Sequence, residues 1–310
     1  MKKLRIVTRN SKLALAQVEW VKNKLSNFFP ELTFQTIELV TSGDKFLSAP
    51  LYKIGGKGLF VKELDDALLN DEADIAVHSV KDIPQVIPAA LCLPTICKRE
   101  NPLDAWICPK GVEFMTLPSG SIVGTSSLRR IVQLRKMRDD LTYLPLRGNV
   151  LTRIQKCEQG EFDGIVLAKA GLIRLNLEHK ITHVFSPEEV LPAVGQGAIG
   201  IMTRKADEAT QALLAPLNHL PTYYCVMAER TMNRQLNGSC QVPIAGFAII
   251  HDETITLSGR VGHPVKPIVL SSQKTAPKEE YVMLGETVAN ELVHQGAKEL
   301  LADLEYTQSR

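Results

Sequence analysis

Cys240 stands in a setting that suits chemistry better than packing. It lies in the segment 237–243, between a long amphipathic stretch and a β-rich stretch. Gly238 permits the backbone conformations of a tight helix exit, and Pro243 prevents the helix from continuing. A thiol on such a bend is presented to something outside the core, as a nucleophile would be. The alternative is that Cys240, like most cysteines, is small, buried and inert.

The other cysteines fit the inert alternative better, because they lie in apolar or helical stretches and form no C-x-x-C pair. None has zinc-like spacing with a histidine, so no metal site is predicted. They are expected to be reduced thiols, as in a cytoplasmic protein. These residues are Cys92, Cys97, Cys108, Cys157 and Cys225.

A second candidate site is cationic. The segment 124–130 puts hydroxyl and backbone N–H groups at a predicted helix N-terminus, with Arg129 and Arg130 on the first turn. Arg147 and Arg153 follow further along the chain. Charge-assisted hydrogen bonds are worth about 1.5 to 3 kcal/mol, so several guanidinium groups would hold a polycarboxylate. The alternative is that these arginines are merely solvated, but their clustering at strand and helix ends favours an anion site.

Phosphate is the competing ligand for such a cluster. The sequence has no G-x-x-x-x-G-K-[ST] loop, and the glycine-rich segment 55–58 lacks the required spacing. We interpret that segment, with Lys53 and Lys57, as a mobile cationic flap.

Asp82 follows an apolar strand that begins near Ala73, so it is expected at the opening of a cleft. Among so many cations it would act as a general acid or base, or would stabilise positive charge in an intermediate. The alternatives are an ion-pair partner or a helix cap. His78, on the same strand, is predicted to be a hydrogen-bonded structural residue, since no second metal ligand accompanies it.

Two similar series of strands and helices position these residues. The first has a strand at 4–8, a helix with apolar residues at helical spacing, and a strand at 33–40. The second begins at 122–127 and continues into a helix from Leu128. Later segments match in the same order, namely 36–44 with 142–149 and 73–77 with 162–166. This order predicts two α/β lobes, and such lobes bind ligands at the carboxyl ends of their strands.

Two crossings would join the lobes, at 98–103 and around 191–197, and both are rich in proline, glycine or polar residues. Lobe closure about these crossings is expected, and Gln196 lies between two glycines of the second. After His219 a helix precedes Cys240, and antiparallel strands and further helices follow, which predicts a third, α+β domain. The predicted domains are 1–98 with 198–216, 103–192 and 220–310.

The composition is that of an ordinary globular protein, with 310 residues of which 45% are hydrophobic and 23% charged. The net charge of +2 implies no general attraction to nucleic acid, so anion binding must come from local arginines. Arg5, Arg9 and Lys12 interrupt any signal-peptide core, and no apolar run is long enough for a membrane span. A cytoplasmic location is therefore predicted.

Seven motifs, in one order, resemble the porphobilinogen deaminase family nearly from end to end. Outside the cysteine loop, the C-terminal third matches only in pattern. Two small departures are Lys169, where the family usually has an apolar residue, and Ser239, where glycine is commoner. The motifs are TRNS (8–11), KIGGKGLF (53–60), AVHSVKDIP (76–84), VGTSSLRR (123–130), LRGN (146–149), LPAVGQG (191–197) and GSCQVP (238–243).

The resemblance implies two doubly wound lobes like those of type II periplasmic binding proteins, around a cleft, with a smaller C-terminal α+β domain. It also implies a transferase that joins four porphobilinogen molecules head to tail with loss of ammonia, then hydrolyses off the linear hydroxymethylbilane. Its cofactor would be a dipyrromethane attached to Cys240 through a thioether. The enzyme would be a cytoplasmic monomer of porphyrin and heme biosynthesis that binds porphobilinogen, with no nucleic acid or membrane partner.

The resemblance also assigns roles to individual residues. Asp82 would be the catalytic group, and Lys53 and Lys57 would come from the flap. The substrate would be bound by Arg9, Ser11, Arg147, Arg153 and Gln196. The cofactor would be held by Cys240, Lys81, Asp82, Thr125, Ser127, Arg129, Arg130, Arg147 and Gly148.

Two other functions are considered. One is a non-catalytic two-lobed protein that binds a small anion. An export signal or an attached DNA-binding segment would favour this function, and neither is recognised in the sequence. The other is a thiol hydrolase with Cys240 as nucleophile, which needs a histidine in a clearly partnered motif, and the sequence offers none.

Overall fold

A computed structural model of the chain describes residues 3–41, 61–238 and 242–308. Its helices are α1 (Lys12–Phe28), α2 (Lys62–Leu69), α3 (Leu128–Met137), α4 (Val150–Glu158), α5 (Lys169–Arg174), α6 (Glu208–Leu214), α7 (Leu220–Gln235), α8 (Tyr281–His294) and α9 (Ala297–Gln308). Its strands are β1 (Lys3–Arg9), β2 (Thr33–Leu39), β3 (Ile75–Ser79), β4 (Leu91–Ile96), β5 (Asp104–Ile107), β6 (Ile122–Gly124), β7 (Thr142–Leu144), β8 (Gly164–Ala168), β9 (His183–Val184), β10 (Ile199–Arg204), β11 (Ile244–His251), β12 (Thr254–Gly262) and β13 (Val269–Pro277).

The first lobe is built on a five-stranded sheet in the order β2-β1-β3-β10-β4. β1 pairs in parallel with β2 and β3, whereas β10 is antiparallel to β3 and β4. α1 packs on this sheet and ends at Phe28, two residues before Pro30, which cannot continue a helix. It buries the apolar residues that recur at helical spacing, namely Ala14, Val18, Val21 and Leu25. The predicted βαβ unit is confirmed.

The second lobe has a five-stranded sheet in the order β7-β6-β8-β5-β9. β6 is parallel to β7 and β8, and β5 is antiparallel to β8 and β9. Each lobe therefore has an antiparallel strand in the fourth place, β10 in the first lobe and β5 in the second. This correspondence confirms the prediction of two similar α/β lobes. Within the segment 142–149, which the sequence pattern matches to 36–44, β7 ends at Leu144, since Pro145 has no N–H for the ladder.

The C-terminal part forms an antiparallel sheet in the order β11-β12-β13, covered by α7 and α8. Its core includes Met232 of α7, Leu257 of β12 and Val288 of α8. The predicted antiparallel pair and the helical segment after it are confirmed, and β13 adds a strand that the sequence pattern did not reveal. Within the described ranges, no helix has the length and apolar character needed to cross a membrane.

The chain passes between the two sheets twice, along 97–103 and along 185–198. Gly197, in the second crossing, has a φ of +89°, in the left-handed region that favours glycine. A Cβ at this position would lie 2.4 Å from Glu100 O of the first crossing. The two crossings therefore approach each other so closely that only glycine fits at 197.

Glu229 of α7 ties both crossings to the C-terminal part. Its fully buried carboxylate accepts hydrogen bonds from Arg99 Nη1 at 2.6 Å and Nη2 at 3.2 Å. It also accepts from Gly195 N at 2.7 Å and Ala248 N at 2.9 Å, and Arg99 Nε donates to Gln196 O at 2.8 Å. The crossings that the sequence suggests as hinges are thus joined by hydrogen bonds to a buried carboxylate, so any movement of the lobes must preserve these bonds or replace them.

Candidate active site

The first lobe supplies one wall of a cleft from the carboxyl ends of β1 and β3. Arg9 is the last residue of β1, and Ser11 begins α1 as its N-cap, where Ser11 Oγ accepts a hydrogen bond from Ala14 N at 3.2 Å. Gln17 Nε2 donates to Ser79 Oγ at 2.8 Å, at the end of β3. This bond fixes two polar side chains that the sequence pattern does not single out.

Asp82 lines a pocket in this wall. It is the last residue of the short 3₁₀ helix Val80–Asp82, which follows β3 directly. The polar residues around the pocket are Arg9, Ser11, Gln17, His78, Ser79 and Asp82. The structure therefore brings Arg9, Ser11 and Asp82 together at one place, on the turns that follow two parallel strands.

His78 is buried against the same pocket. Burial, aided by the charge of Arg9, lowers the pKa of its imidazole to about 4, so the ring is neutral at physiological pH. Its Nε2 has no hydrogen-bond partner among the described residues, unlike the hydrogen-bonded histidine expected from the sequence. No group of three histidine, cysteine or acidic side chains in the described part of the chain could hold a metal ion.

The second lobe supplies the opposite wall from the N-terminal turn of α3. Ser127 is the N-cap residue, but its side chain makes no capping bond; instead Thr125 Oγ1 accepts from Ser127 N at 3.2 Å. Ser126 Oγ donates to Leu146 O at 2.9 Å and so joins this turn to the segment that carries Arg147. The Ser127 hydroxyl, unused by the helix, is available to a ligand.

Arg129 and Arg130 meet on one buried carboxylate, that of Asp104 at the start of β5. Arg129 Nη1 donates to Oδ2 at 2.7 Å, and Arg130 donates to Oδ1 from Nε at 3.1 Å and from Nη2 at 2.7 Å. Asp104 is 0% exposed and both arginines are 6% exposed. Burial alone would raise the pKa of Asp104, but the two guanidinium charges hold it well below its usual range. No local sequence signal marks Asp104 as the partner of these two arginines.

Arg153 connects the two walls electrostatically. Gly148, with a φ of +109°, turns the backbone so that its carbonyl accepts a hydrogen bond from Arg153 Nε at 2.7 Å. Burial, aided by the charges of Arg130 and Arg147 and opposed by Asp82, lowers the pKa of Arg153 to about 10. Since Asp82 belongs to the first lobe and Arg130 to the second, Arg153 lies within electrostatic range of both walls.

Lys81 adds a further cation from the first lobe. Burial lowers the pKa of its ammonium group to about 8. The carboxylates of Asp82 and Asp104 oppose this shift, whereas the charges of Arg130 and Arg129 add to it. Lys81 is thus within electrostatic range of the two arginines of the opposite lobe, and the two carboxylates offset the repulsion among these cations.

Gln196 differs from the cleft-lining residue that the resemblance implies, because it is only 1% exposed. Its Nε2 donates to Pro102 O at 2.6 Å and to Asp104 Oδ1 at 3.0 Å. Its Oε1 is buried and has no hydrogen-bond partner within the described ranges. Gln196 is therefore a buried hydrogen-bond donor to Asp104, at the point where the second crossing meets β5.

Three residues of the predicted site lie outside the described residues, namely Cys240 and the flap residues Lys53 and Lys57. The end of α7, which precedes Cys240, lies within the described residues. Asn237 has a φ of +53°, Asn237 N donates to Arg234 O at 3.1 Å, and Gly238 N donates to Asn233 O at 2.8 Å. These two bonds form a Schellman motif, which ends α7 sharply. The left-handed residue is Asn237 and not glycine; Gly238 is needed because a Cβ there would lie 1.7 Å from Asn233 Oδ1.

Comparison with known proteins identifies the family. Residues 4–212 match the family model described as "Porphobilinogen deaminase, dipyromethane cofactor binding domain", and residues 223–294 match "Porphobilinogen deaminase, C-terminal domain". The chain belongs to the porphobilinogen deaminase family. It is a transferase of porphyrin and heme biosynthesis that joins four porphobilinogen molecules head to tail with loss of ammonia on a cysteine-bound dipyrromethane primer, then releases the linear hydroxymethylbilane by hydrolysis.

Several solved structures share a weak likeness with the chain. The VFT2 domain of BvgS from Bordetella pertussis, in a variant form, is 14% identical with a TM-score of 0.40, over 69% of this chain and 84% of that one. The alkanesulfonate-binding protein SsuA from Xanthomonas axonopodis pv. citri is also 14% identical with a TM-score of 0.40, over 76% and 74%. The periplasmic aliphatic sulphonate binding protein SsuA from Escherichia coli gives the same identity and TM-score over 76% and 71%. These scores are too low to support an argument on fold or function.

The residues of the cleft fit the dipyrromethane cofactor of the family. Each of its pyrrole rings carries acetate and propionate side chains, so the group is a polycarboxylate. Among the described residues of the two walls, cations outnumber carboxylates, and guanidinium groups bind carboxylates through paired hydrogen bonds. The cations are Arg9, Lys81, Arg129, Arg130, Arg147 and Arg153, and the carboxylates are Asp82 and Asp104. A single compact phosphate would not need cations spread over both lobes.

Proposed function

We propose that Cys240 carries the dipyrromethane cofactor through a thioether and that the product chain grows from it. The Schellman end of α7 supports this role, because it turns the chain out of the helix three residues before Cys240. The other cysteines suit it poorly. Burial raises the pKa of Cys97, Cys157 and Cys225 to about 12, which keeps these thiols protonated and inert.

Asp82 is proposed as the catalytic carboxylate. Its position at the polar pocket of the first lobe, beside Arg9 and Ser11, supports contact with the reacting pyrrole rings. The carboxylate accepts hydrogen bonds from pyrrole N–H groups and stabilises the azafulvenium-type cation that forms when the substrate loses ammonia. Bond formation to the next ring displaces one α-proton, and Asp82 takes this proton on a carboxylate oxygen.

When bound, the dipyrromethane supplies the free α-carbon to which the first substrate unit is joined. The chain's own residues hold the carboxylates of the growing product. Lys81, Arg129 and Arg130, with the hydroxyl of Ser127, suit the cofactor, and Arg9, Ser11 and Arg153 suit the incoming substrate. Arg147, whose charge affects Arg153, is proposed to contact both the cofactor and the substrate. Spreading these cations over two walls accommodates a polyanion that lengthens, which a compact anion pocket would not.

The sharpest test of Asp82 separates cofactor attachment from turnover. Asp82→Asn keeps the size of the side chain and removes its charge, so the protein is expected to carry the covalent adduct but to turn over at least about a hundredfold more slowly. Asp82→Glu, which keeps the carboxylate, is expected to retain more activity than Asp82→Asn. Asp140→Asn, which alters an exposed ion pair with Arg138, serves as the matched control. Turnover of Asp82→Asn within a few fold of the wild type would remove Asp82 from the catalytic role.

We also propose the domain limits 1–98 with 198–216, 103–192 and 220–310, which the membership of the three sheets supports. A monomer in the cytoplasm that binds no nucleic acid is proposed as well. The net charge of +2 supports the last point, since it provides no general attraction to a polyanion. Analytical ultracentrifugation of the holoenzyme tests the monomer, and a concentration-dependent dimer would contradict it.

A further inference from the structure

Asp104 is the only acidic partner that the structure gives to Arg129 and Arg130 among the described residues. We propose that Asp104 is a positioning residue for the cofactor: it fixes the two guanidinium groups side by side, so that Arg129 faces the cleft with unused donors. This inference rests on the proposed role of Arg129 and Arg130 as carboxylate-binding groups, and it assigns to Asp104 a function that no part of the family comparison carries.

The hydrogen bonds of Arg129 within the protein use only some of its N–H donors. Arg129 Nη1 donates both of its hydrogens, one to Asp104 Oδ2 at 2.7 Å and one to Leu191 O at 2.7 Å. Its Nε and Nη2 have no hydrogen-bond partner among the described residues. One N–H of Nε and two of Nη2 therefore remain as donors for a carboxylate of the cofactor. Only a guanidinium held in one rotamer can offer them in a fixed direction.

Arg130 is held more completely. Nε and Nη2 both donate to Asp104 Oδ1, and Nη1 donates to Val166 O at 2.8 Å. With Gln196 Nε2 also on Oδ1, the Asp104 carboxylate accepts from three different side chains. These bonds come from α3 and from the second crossing, so one carboxylate sets the position of both arginines relative to the crossing.

Charge explains why the anchor must be a carboxylate. Two guanidinium groups lie on Asp104, and the ammonium of Lys81 from the first lobe is near enough to be affected by all three. Without the negative charge of Asp104, the cations of Arg129, Arg130 and Lys81 would repel one another, and the two arginines are almost fully buried. Repulsion would then turn Arg129 away from Arg130 or draw water into the wall. Either change would misplace the donors that face the cleft.

A matched control exists at the far edge of the first lobe. Asp74 also accepts from a guanidinium, that of Arg5 at 2.6 Å, and a second arginine, Arg204, lies 3.5 Å away. Asp74 precedes β3 and so sits at the opposite end of the strand from Asp82. Asp74→Asn therefore removes a carboxylate from a pair of arginines without touching the cleft.

The experiment compares Asp104→Asn, Asp74→Asn and the wild type as full chains. The first readout is the fraction of freshly purified, folded protein that carries the covalent dipyrromethane, by intact-mass spectrometry. The second is the rate at which apoenzyme gains the adduct from porphobilinogen. The third is kcat per loaded molecule alongside KM for porphobilinogen. For Asp104→Asn we expect loading at least tenfold slower and kcat per loaded molecule at least tenfold lower, with KM within threefold of the wild type.

Asp74→Asn is expected to match the wild type in all three readouts. A merely structural role for Asp104 would lower the folded fraction but leave the loading rate and kcat per folded molecule unchanged, which would overturn the proposal. If Asp104→Asn fails to fold, Asp104→Glu decides, because it keeps the charge and shifts the carboxylate by one methylene. Wild-type loading and kcat in folded Asp104→Glu would overturn the positioning role; slow loading would support it.

Arg129→Lys distinguishes failure of this inference from failure of the proposed function. If Arg129→Lys loads and turns over normally, Arg129 does not bind the cofactor and the proposed function of that residue falls. If Arg129→Lys is impaired while folded Asp104→Asn is normal, Arg129 keeps its role and only the positioning by Asp104 is wrong. Impairment of both variants is the result that the structure predicts.

Discussion

The junction at Glu229 yields a prediction whose size follows from its hydrogen bonds. Glu229 Oε1 accepts from Arg99 Nη1 and Ala248 N, and Oε2 accepts from Arg99 Nη2 and Gly195 N. Glu229→Gln replaces one oxygen by an NH₂ group. Whichever oxygen is lost, one backbone N–H and one guanidinium N–H then face a donor instead of an acceptor.

The expected cost is large because nothing at this site can relax into water. The Glu229 side chain is 0% exposed and that of Arg99 is 10% exposed. Two unsatisfied buried donors cost about 1 to 3 kcal/mol each, and removal of one partner from a buried ion pair costs about 3 to 5 kcal/mol in all. We therefore expect Glu229→Gln to lower the free energy of unfolding by about 3 to 5 kcal/mol.

Urea unfolding followed by circular dichroism measures this loss. A double-mutant cycle with Arg99→Met isolates the ion pair, and we expect a coupling energy of about 1.5 to 3 kcal/mol between the two positions. Glu253→Gln is the control, because Glu253 pairs with Lys278 on the surface at 81% exposure and should cost less than about 1 kcal/mol. A loss below about 1 kcal/mol for Glu229→Gln, or an additive cycle, would refute the reasoning.

Two further predictions concern pH and backbone geometry. The folded pKa of His78, about 4, lies below its usual 6.5, so between these values the unfolded chain binds one proton more. The stability that this group contributes is full above about pH 6.5 and falls by about 1.4 kcal/mol per pH unit towards pH 4. In urea unfolding between these pH values, the free energy of unfolding of His78→Gln should therefore depend on pH less steeply than that of the wild type, by the same amount. Equal slopes in the two proteins would contradict a neutral, buried imidazole. Gly197→Ala should cost about 3 kcal/mol or more, because of both its left-handed φ and the clash with Glu100 O, whereas Gly111→Ala, with a φ of +70° and open space around it, should cost only about 1 to 2 kcal/mol. Similar melting temperatures for these two alanine variants would count against the close approach of the crossings.

The sequence predicts the scaffold well because local signals agree with one another. The helical spacing of the apolar residues in α1 and the repeated order of strands predict two lobes, and both are present. Hydroxyl and guanidinium groups at the start of α3 predict an anion site. Sequence motifs therefore locate the walls of the cleft through residues that end strands or begin helices.

The partners of buried charges are harder to predict, because they depend on tertiary contacts. Asp104 lies 25 residues from Arg129, in a short apolar strand where nothing local marks it as an acceptor for two arginines. Glu229 and Arg99 are 130 residues apart. The sequence also attributes the turn after α7 to Gly238, whereas Asn237 takes the left-handed conformation, because asparagine tolerates it and the glycine is needed for close packing.

The measurement that tests the central claim most directly is the intact mass of freshly purified, active protein, followed by peptide mapping. A chain that grows from Cys240 predicts an excess mass of two porphobilinogen units less two molecules of ammonia, located on the peptide that contains Cys240. The same adduct should remain after many turnovers, since the anchor stays bonded while the product leaves. An unmodified Cys240 thiol in active protein, or the adduct on another cysteine, would contradict the account.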